Sequence, residues 1–410
     1  MQKLFATFLF FILSTSAFIA TGNEQKKPTI TIKTTTSITT TSTKQTLTEK
    51  PILALNQQSL RKKILLAVPQ TKSFQFWTQI EYFARLVANS LDVELHVHQI
   101  SSRDKNRYLY ADSIEKVIKT EFMPDAIISV FWLHGETKLL DVSQRYRIPL
   151  ITYNSQLSTK TINRIGRPRQ KYRYWRAHLF PDDTAIGEQV AELLLKQTSR
   201  QMPVNMFALG GDTMSAPSLN RLKGLKITLK RYPNAKLINT VFTDWDSLVA
   251  KHKMLSLLRR FDPNDLQLVW TASDQLALGV ISAIEHLSYK PGKHILVGGV
   301  DWTPEGLNLI RENKQLFSLG GHFIEAGKGV LLAHEILHGF DFSDDLGTIQ
   351  NTKMMMINKQ NIDNIAPKLH GGYWKTIDFK PLSKRYKTNL EKYQLDIEHL
   401  LGFNANQASQ

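Results

Sequence analysis

From residue 61 onward the sequence alternates short apolar runs with amphipathic stretches, and this alternation confines the chain to an α/β fold built on parallel sheets. Ile64-Leu65-Leu66-Ala67-Val68 is continuously apolar, as a strand buried on both faces must be. The stretch 76–91 then places Ile80, Phe83, Ala84, Val87 and Leu91 at helical spacing. Strands are expected over 93–100, 126–131 and 149–153, with helices at 113–120 and from 131 to 146. A second series follows, with strands over 204–209, 236–242, 266–272, 294–300 and 316–319. Its helices are expected over 184–196, 219–232, 248–260, 275–287, 305–313 and 326–337. Two doubly wound, Rossmann-like sheets in one chain imply two lobes with a cleft between them. Ligands of such sheets sit beyond the carboxyl ends of the strands.

The N-terminus reads differently. Met1-Gln2-Lys3 is a short basic start, residues 4–13 are almost unbroken apolar, and Ser14, Ser16, Ala17 and Ala20-Thr21-Gly22 are small. This is the pattern of a secretory signal peptide over 1–22, and the run is short for a membrane span of ~20 residues. Residues 23–58 are polar and Thr-rich and are expected to be a disordered linker. The chain is therefore expected to be exported, and periplasmic in a bacterium. The sequence has no cysteine, which excludes disulfides, thiolate metal sites, a catalytic thiol and a lipid-modified N-terminal cysteine.

Residues just past the strand ends carry a more specific signal. Phe76-Trp77 follows the first strand, and Asn154-Ser155 closes Ile151-Thr152-Tyr153. Gly210-Gly211-Asp212 precedes Arg221-Leu222-Lys223-Gly224, and Thr243-Asp244-Trp245-Asp246 follows the next strand. Ser273-Asp274-Gln275-Leu276-Ala277-Leu278-Gly279, Val297-Gly298-Gly299-Val300-Asp301 and Gly320-Gly321-His322 complete the series. In order and spacing these resemble the type I periplasmic sugar-binding proteins, the ribose and galactose receptor family, from about residue 62 to 339. The finer likeness is to a longer-chain branch that includes transporter receptors and autoinducer receptors.

The resemblance implies two lobes joined by a hinge, closing on a small polar ligand without chemistry and without a cofactor. It implies a first lobe of 59–180 plus 322–350, a second of 181–321 plus 351–385, and a tail at 386–410. The implied ligand-binding residues are Phe76, Trp77, Asn154, Ser155, Arg221, Trp245, Ser273, Asp274, Asp301 and His322. Aromatic faces suit the apolar face of a sugar ring, while carboxylates and arginine suit its hydroxyls. For Asp274 and Asp301 helix capping is the other reading, and for Arg221 a solvated helix face. Ribose-type receptors carry an Asp-Arg pair where Asn154-Ser155 stands, an Asn at Ser273 and a Gln at Gly321. The ligand class is therefore a small, polyhydroxylated molecule rather than a plain pentose or hexose. The implied partner is an ABC permease or a membrane sensor kinase or cyclase, and the protein is expected to be a monomer.

Two further signals compete. His334-Glu335-Ile336-Leu337-His338 fits the H-E-x-x-H zinc-hydrolase pattern, but no third ligand stands at a recognisable spacing. The helix that carries it has an apolar face suited to a sheet, so no metal site and no enzyme are expected. The balance of 52 Lys+Arg against 36 Asp+Glu, net +16, concentrates in segment 164–176, where Arg164, Arg167, Arg169, Lys171, Arg173 and Arg176 meet Tyr172, Tyr174 and Trp175. No helix-turn-helix precedes the folded part and an exported protein rarely meets nucleic acid, so a solvated loop or a contact with an acidic partner surface is expected.

Overall fold

The computed structural model describes residues 61–70, 75–101, 106–199 and 201–403; the expected signal peptide and linker lie outside them. The chain runs β1 (Lys63–Gln70), α1 (Gln75–Ser90), β2 (Glu94–Ser101), α2 (Arg107–Thr120), β3 (Ala126–Val130), α3 (Glu136–Tyr146), β4 (Leu150–Tyr153), α4 (Thr159–Ile165) and β5 (Trp175–Pro181). It continues through α5 (Asp183–Leu195), β6 (Val204–Gly210), α6 (Ala216–Leu229), β7 (Ala235–Phe242), α7 (Ser247–Leu258), β8 (Leu268–Thr271), α8 (Asp274–His286) and β9 (Leu296–Val300). Then come α9 (Pro304–Arg311), β10 (Phe317–Gly320), α10 (Glu325–Leu337), β11 (Ile349–Thr352) and β12 (Met355–Asn358).

These strands form two six-stranded sheets, ordered β11-β5-β4-β3-β1-β2 and β12-β10-β9-β8-β6-β7. Every pairing is parallel except β12 on β10. Each sheet is a lobe with its own apolar core. The described chain therefore crosses between lobes four times: after β5, after β10, between β11 and β12, and again beyond β12. Side-chain caps sit where strands give way to helices, at Ser158, Asp182, Asp246, Ser273 and Thr303. Of these, Ser158 and Ser273 also line the cleft between the lobes.

Three strands depart from the expected series. β5 begins inside the segment read as a basic loop, with Trp175, Ala177 and Leu179 fully buried. β11 and β12 add an edge to each sheet. Beyond β12 the chain also turns away from the expected domain plan. Trp374 and Phe379 pack on the Phe83 ring of α1 at centroid separations of 5.4 and 5.6 Å, and Tyr393, Leu395, Ile397 and Leu401 are buried in the same core. Residues 351–385 were expected in the second lobe and 386–410 as a tail. The structure instead returns residues from about 371 to the first lobe, where they complete the cover of the α1 aromatic face begun by Phe323.

The H-E-x-x-H helix explains how that segment is held. Glu335 is fully buried and accepts from Ser383 Oγ, from Lys384 N at 2.9 Å and from Tyr393 Oη at 2.7 Å. Its carboxylate is the anchor of the C-terminal strap, and His338 Nδ1 is turned back on the carbonyl of His334 at 2.8 Å. The motif that suggested zinc chemistry is thus occupied with holding the fold. Among the described residues no His, Asp and Glu cluster forms a metal-binding group.

Candidate functional site

A cavity of about 290 Å³ opens between the lobes, lined by the loops that follow the strands of both sheets. Nine of the ten residues singled out from the sequence line it: Phe76 and Trp77 after β1, Asn154 and Ser155 after β4, Arg221 on α6, Trp245 after β7, Ser273 after β8, Asp301 after β9 and His322 after β10. The loops are held in unusual conformations. Asn154, Asp244, Trp245 and Asp301 have φ of 72°, 52°, 62° and 111°, and Leu133 and His134 have 44° and 64°. Left-handed non-glycine residues are sparse elsewhere in proteins and gather where a site over-determines its backbone.

The floor of the cavity is a buried charge cluster. Arg221 reaches it because α5 and α6 cross at two glycines: a Cβ on Gly187 would lie 1.8 Å from Arg221 O, and one on Gly224 would lie 2.0 Å from Thr184 O. Arg221 Nε donates to Asp183 Oδ1 at 2.9 Å and Nη1 to Ala272 O at 2.7 Å, with Asp301 Oδ1 3.5 Å from Nη1. The same Asp301 oxygen stands 3.5 Å from His322 Nε2, and the His322 ring lies on Phe76 at 4.5 Å between centroids. His322 is fully buried, and both its ring nitrogens lack a hydrogen-bond partner. Burial and the nearby Arg221 charge hold its pKa well below the usual imidazole value, so it is neutral.

One guanidinium serves two carboxylates. Burial raises Asp301 to about 8 and Asp183 to about 6, against the opposing pull of Arg221. The cluster therefore keeps a proton near neutrality that the unfolded chain has released. With more protons bound in the folded state, stability falls as pH rises through about 6 and about 8. The melting temperature is expected to drop between about pH 4 and about pH 8, and to drop less in Asp301→Asn. Thermal melts across that range check it, and an equal drop in the variant would place the retained proton elsewhere.

Asp274 is the one expected site residue that does not line the cleft. It accepts from Gln315 Nε2 at 2.8 Å, Ser318 Oγ at 2.8 Å and Thr303 N at 3.0 Å, all behind the β9–α9 loop. Its role is to fix the loop that presents Asp301. Ser273 lines the cavity and also caps α8 through Leu276 N at 3.4 Å. Among the cavity residues that were not anticipated are Trp132 and Leu133 after β3, Leu157 after β4, and Met214 and Leu219 around the start of α6. Trp132 follows its strand as Trp77 follows β1, so the same spacing argument finds it; the aliphatic residues carry no such mark.

The basic segment is divided. Arg169 forks onto Asp341 at 2.6 and 2.8 Å and lies over the Phe342 ring, and Arg164 pairs with Glu136 at 2.8 Å. Arg167, Lys171 and Arg173 remain exposed.

Residues 64–339 match the family model described as a periplasmic binding protein domain. The chain belongs to this family of binding proteins. It is 28% identical over 125 residues to a galactofuranose-binding protein of Escherichia coli, covering 30% of this chain and 39% of that one. It is 25% identical over 217 residues to a xylitol-binding protein of Mycolicibacterium smegmatis, covering 53% and 56%. The chain thus aligns with about half or less of the length of these curated relatives. Among solved structures, a periplasmic sugar-binding protein from Pseudomonas fluorescens superposes with a TM-score of 0.72 at 22% identity, covering 83% of this chain and 99% of that one. A likeness at that identity establishes the shared fold: α/β, with two parallel-stranded lobes around a cleft.

Proposed function

We propose that the protein is a periplasmic solute-binding protein that closes on a small, sugar-like ligand and delivers it to an ABC transporter. The observation that carries this reading is the polar floor: a buried arginine, Asp301 and an unpartnered neutral His322, flanked by Phe76, Trp77 and Trp245. Hydroxyl groups can both donate and accept, which suits a protonatable carboxyl and an imidazole whose nitrogens await partners. The aromatic rings suit the apolar face of a sugar ring. Asn154, Ser155 and Ser273 add neutral polar groups to the wall. The relatives named for galactofuranose and xylitol point to the same ligand chemistry, and family membership supports export. No helix of the described residues is long and apolar enough to cross a membrane.

Calorimetry of the full chain against galactofuranose, xylitol and galactose tests the reading. Trp245→Ala and Asp301→Ala are each expected to weaken the bound sugar or polyol by about 1–3 kcal/mol, through lost stacking and unpaired hydroxyls. Unchanged affinity in both variants would mean that the ligand sits elsewhere.

A further inference from the structure

The cavity has a polar, buried floor, and towards solvent aliphatic side chains stand among polar ones. Arg221, Ser273, Asp301 and His322 are all buried. Met214 and Leu219, which line the same cavity from the second lobe, are 41% and 39% exposed. From the first lobe Trp132, Leu133 and Leu157 face the same space. Leu133 is held there by a backbone in the left-handed region, beside a second such residue at His134. Three polar groups there are already engaged by the protein, Glu136 by Arg164 at 2.8 Å, Ser158 Oγ by Thr161 N at 3.1 Å and Asp212 Oδ1 by Met214 N at 2.7 Å, while His134, Gln156, Asn220 and Asp244 also line the cavity.

A free sugar carries hydroxyls around its whole edge. Seated on this floor, it would press some of them against leucine and methionine, stripping water without returning hydrogen bonds. Trp77 and Trp245 can serve as stacking faces for the ring, but unbranched and branched aliphatic side chains have no such use. The apolar residues line one cavity from both lobes rather than an outer face, so they suit part of a ligand better than a docked protein.

We propose that the ligand is amphipathic: a glycoside whose sugar lies on the Arg221–Asp301–His322 floor and whose apolar aglycone lies at the mouth against Leu133, Leu157, Met214 and Leu219. This rests on the sugar reading above and narrows it. The aglycone is recognised by burial of apolar surface, so affinity should follow its size.

The test uses matched pairs of methyl and 4-nitrophenyl glycosides of galactose, galactofuranose and arabinofuranose, titrated into the full chain. The nitrophenyl member of a pair that binds is expected to bind at least about tenfold tighter. Met214→Ser combined with Leu219→Ser, both on the exposed rim, should erase that preference, so that the two members of a pair bind alike. A melting temperature close to that of the parent shows that the variant is folded. Equal or weaker binding of the nitrophenyl member in every pair that binds overturns the amphipathic ligand and leaves the sugar reading standing. A preference that survives in the double variant overturns the assigned subsite. Binding of neither member of any pair overturns this inference; free galactofuranose, xylitol and galactose then decide the sugar reading separately.

Discussion

Replacing Arg221 by methionine is expected to lower the free energy of unfolding by about 3–5 kcal/mol and to remove ligand binding. Methionine keeps much of the aliphatic stem, so the loss is electrostatic rather than a packing defect. In the native chain the guanidinium faces Asp183 at 2.9 Å, Asp301 at 3.5 Å and the Ala272 carbonyl at 2.7 Å, all three residues being buried. Without it, two buried carboxyls lose their only nearby cation in this cluster and the carbonyl loses its donor. The penalty has a signature that separates charge from packing. Protonated carboxyls need no cation, so the difference between variant and parent should shrink as pH falls toward about 4 and both aspartates become neutral in either protein. Urea unfolding at about pH 4 and about pH 7.5 measures it. A penalty that is the same at both would mean that Arg221 acts through packing alone.

The legible and illegible parts of this fold divide along the range of the interactions that create them. β1 and α1 were readable because their periods are local: five successive apolar residues, then apolar residues every three or four. β5 was hidden because Trp175 and Ala177 alternate with Arg176 and His178, directly after a run of cations. Its burial depends on a place between β4 and β11 that no local pattern announces. β11 reads Ile-Gln-Asn-Thr and is a strand only because the β5 edge is available to it. The C-terminal return to α1 is of the same kind, since contacts such as Tyr82 with Gly371 span 289 residues.

The site was more legible than the edges because one rule governs it. Loops after parallel strands face the cleft, so aromatic and polar residues at those positions could be found without knowing what touches them. The rule has a blind spot in each direction. Leu133 and Met214 sit on the same loops, yet an aliphatic residue beside a strand looks like core. Asp274 and Asp301 both follow strands and look alike, yet only one faces the cavity. What separates them is Gln315 and Ser318, 41 and 44 residues downstream, which bring donors to Asp274.

That distinction leads to the second large effect. Asp274→Ala is expected to cost about 2–4 kcal/mol of stability while leaving the affinity of the folded protein within a fewfold of the parent. The side chain fills space that two glycines keep open, since a Cβ on Gly299 would meet its Oδ1 at 2.1 Å and one on Gly306 its Cγ at 2.4 Å. Truncation leaves both a void and three stranded donors, on Gln315, Ser318 and Thr303. Gln315 keeps a bond to the Phe317 carbonyl at 3.0 Å, which limits the loss. Asp301→Ala should behave in the opposite way, because its carboxyl lines the cavity and stands 3.5 Å from both Arg221 and His322, so removing it strands few protein donors while taking a partner from the ligand. Measuring melting temperature and sugar affinity on both variants therefore crosses the two roles. A loss of affinity in Asp274→Ala with an unchanged melting temperature would show that Asp274 turns toward the ligand in the closed form, and the β9–α9 loop would then have to release Thr303 N to allow it.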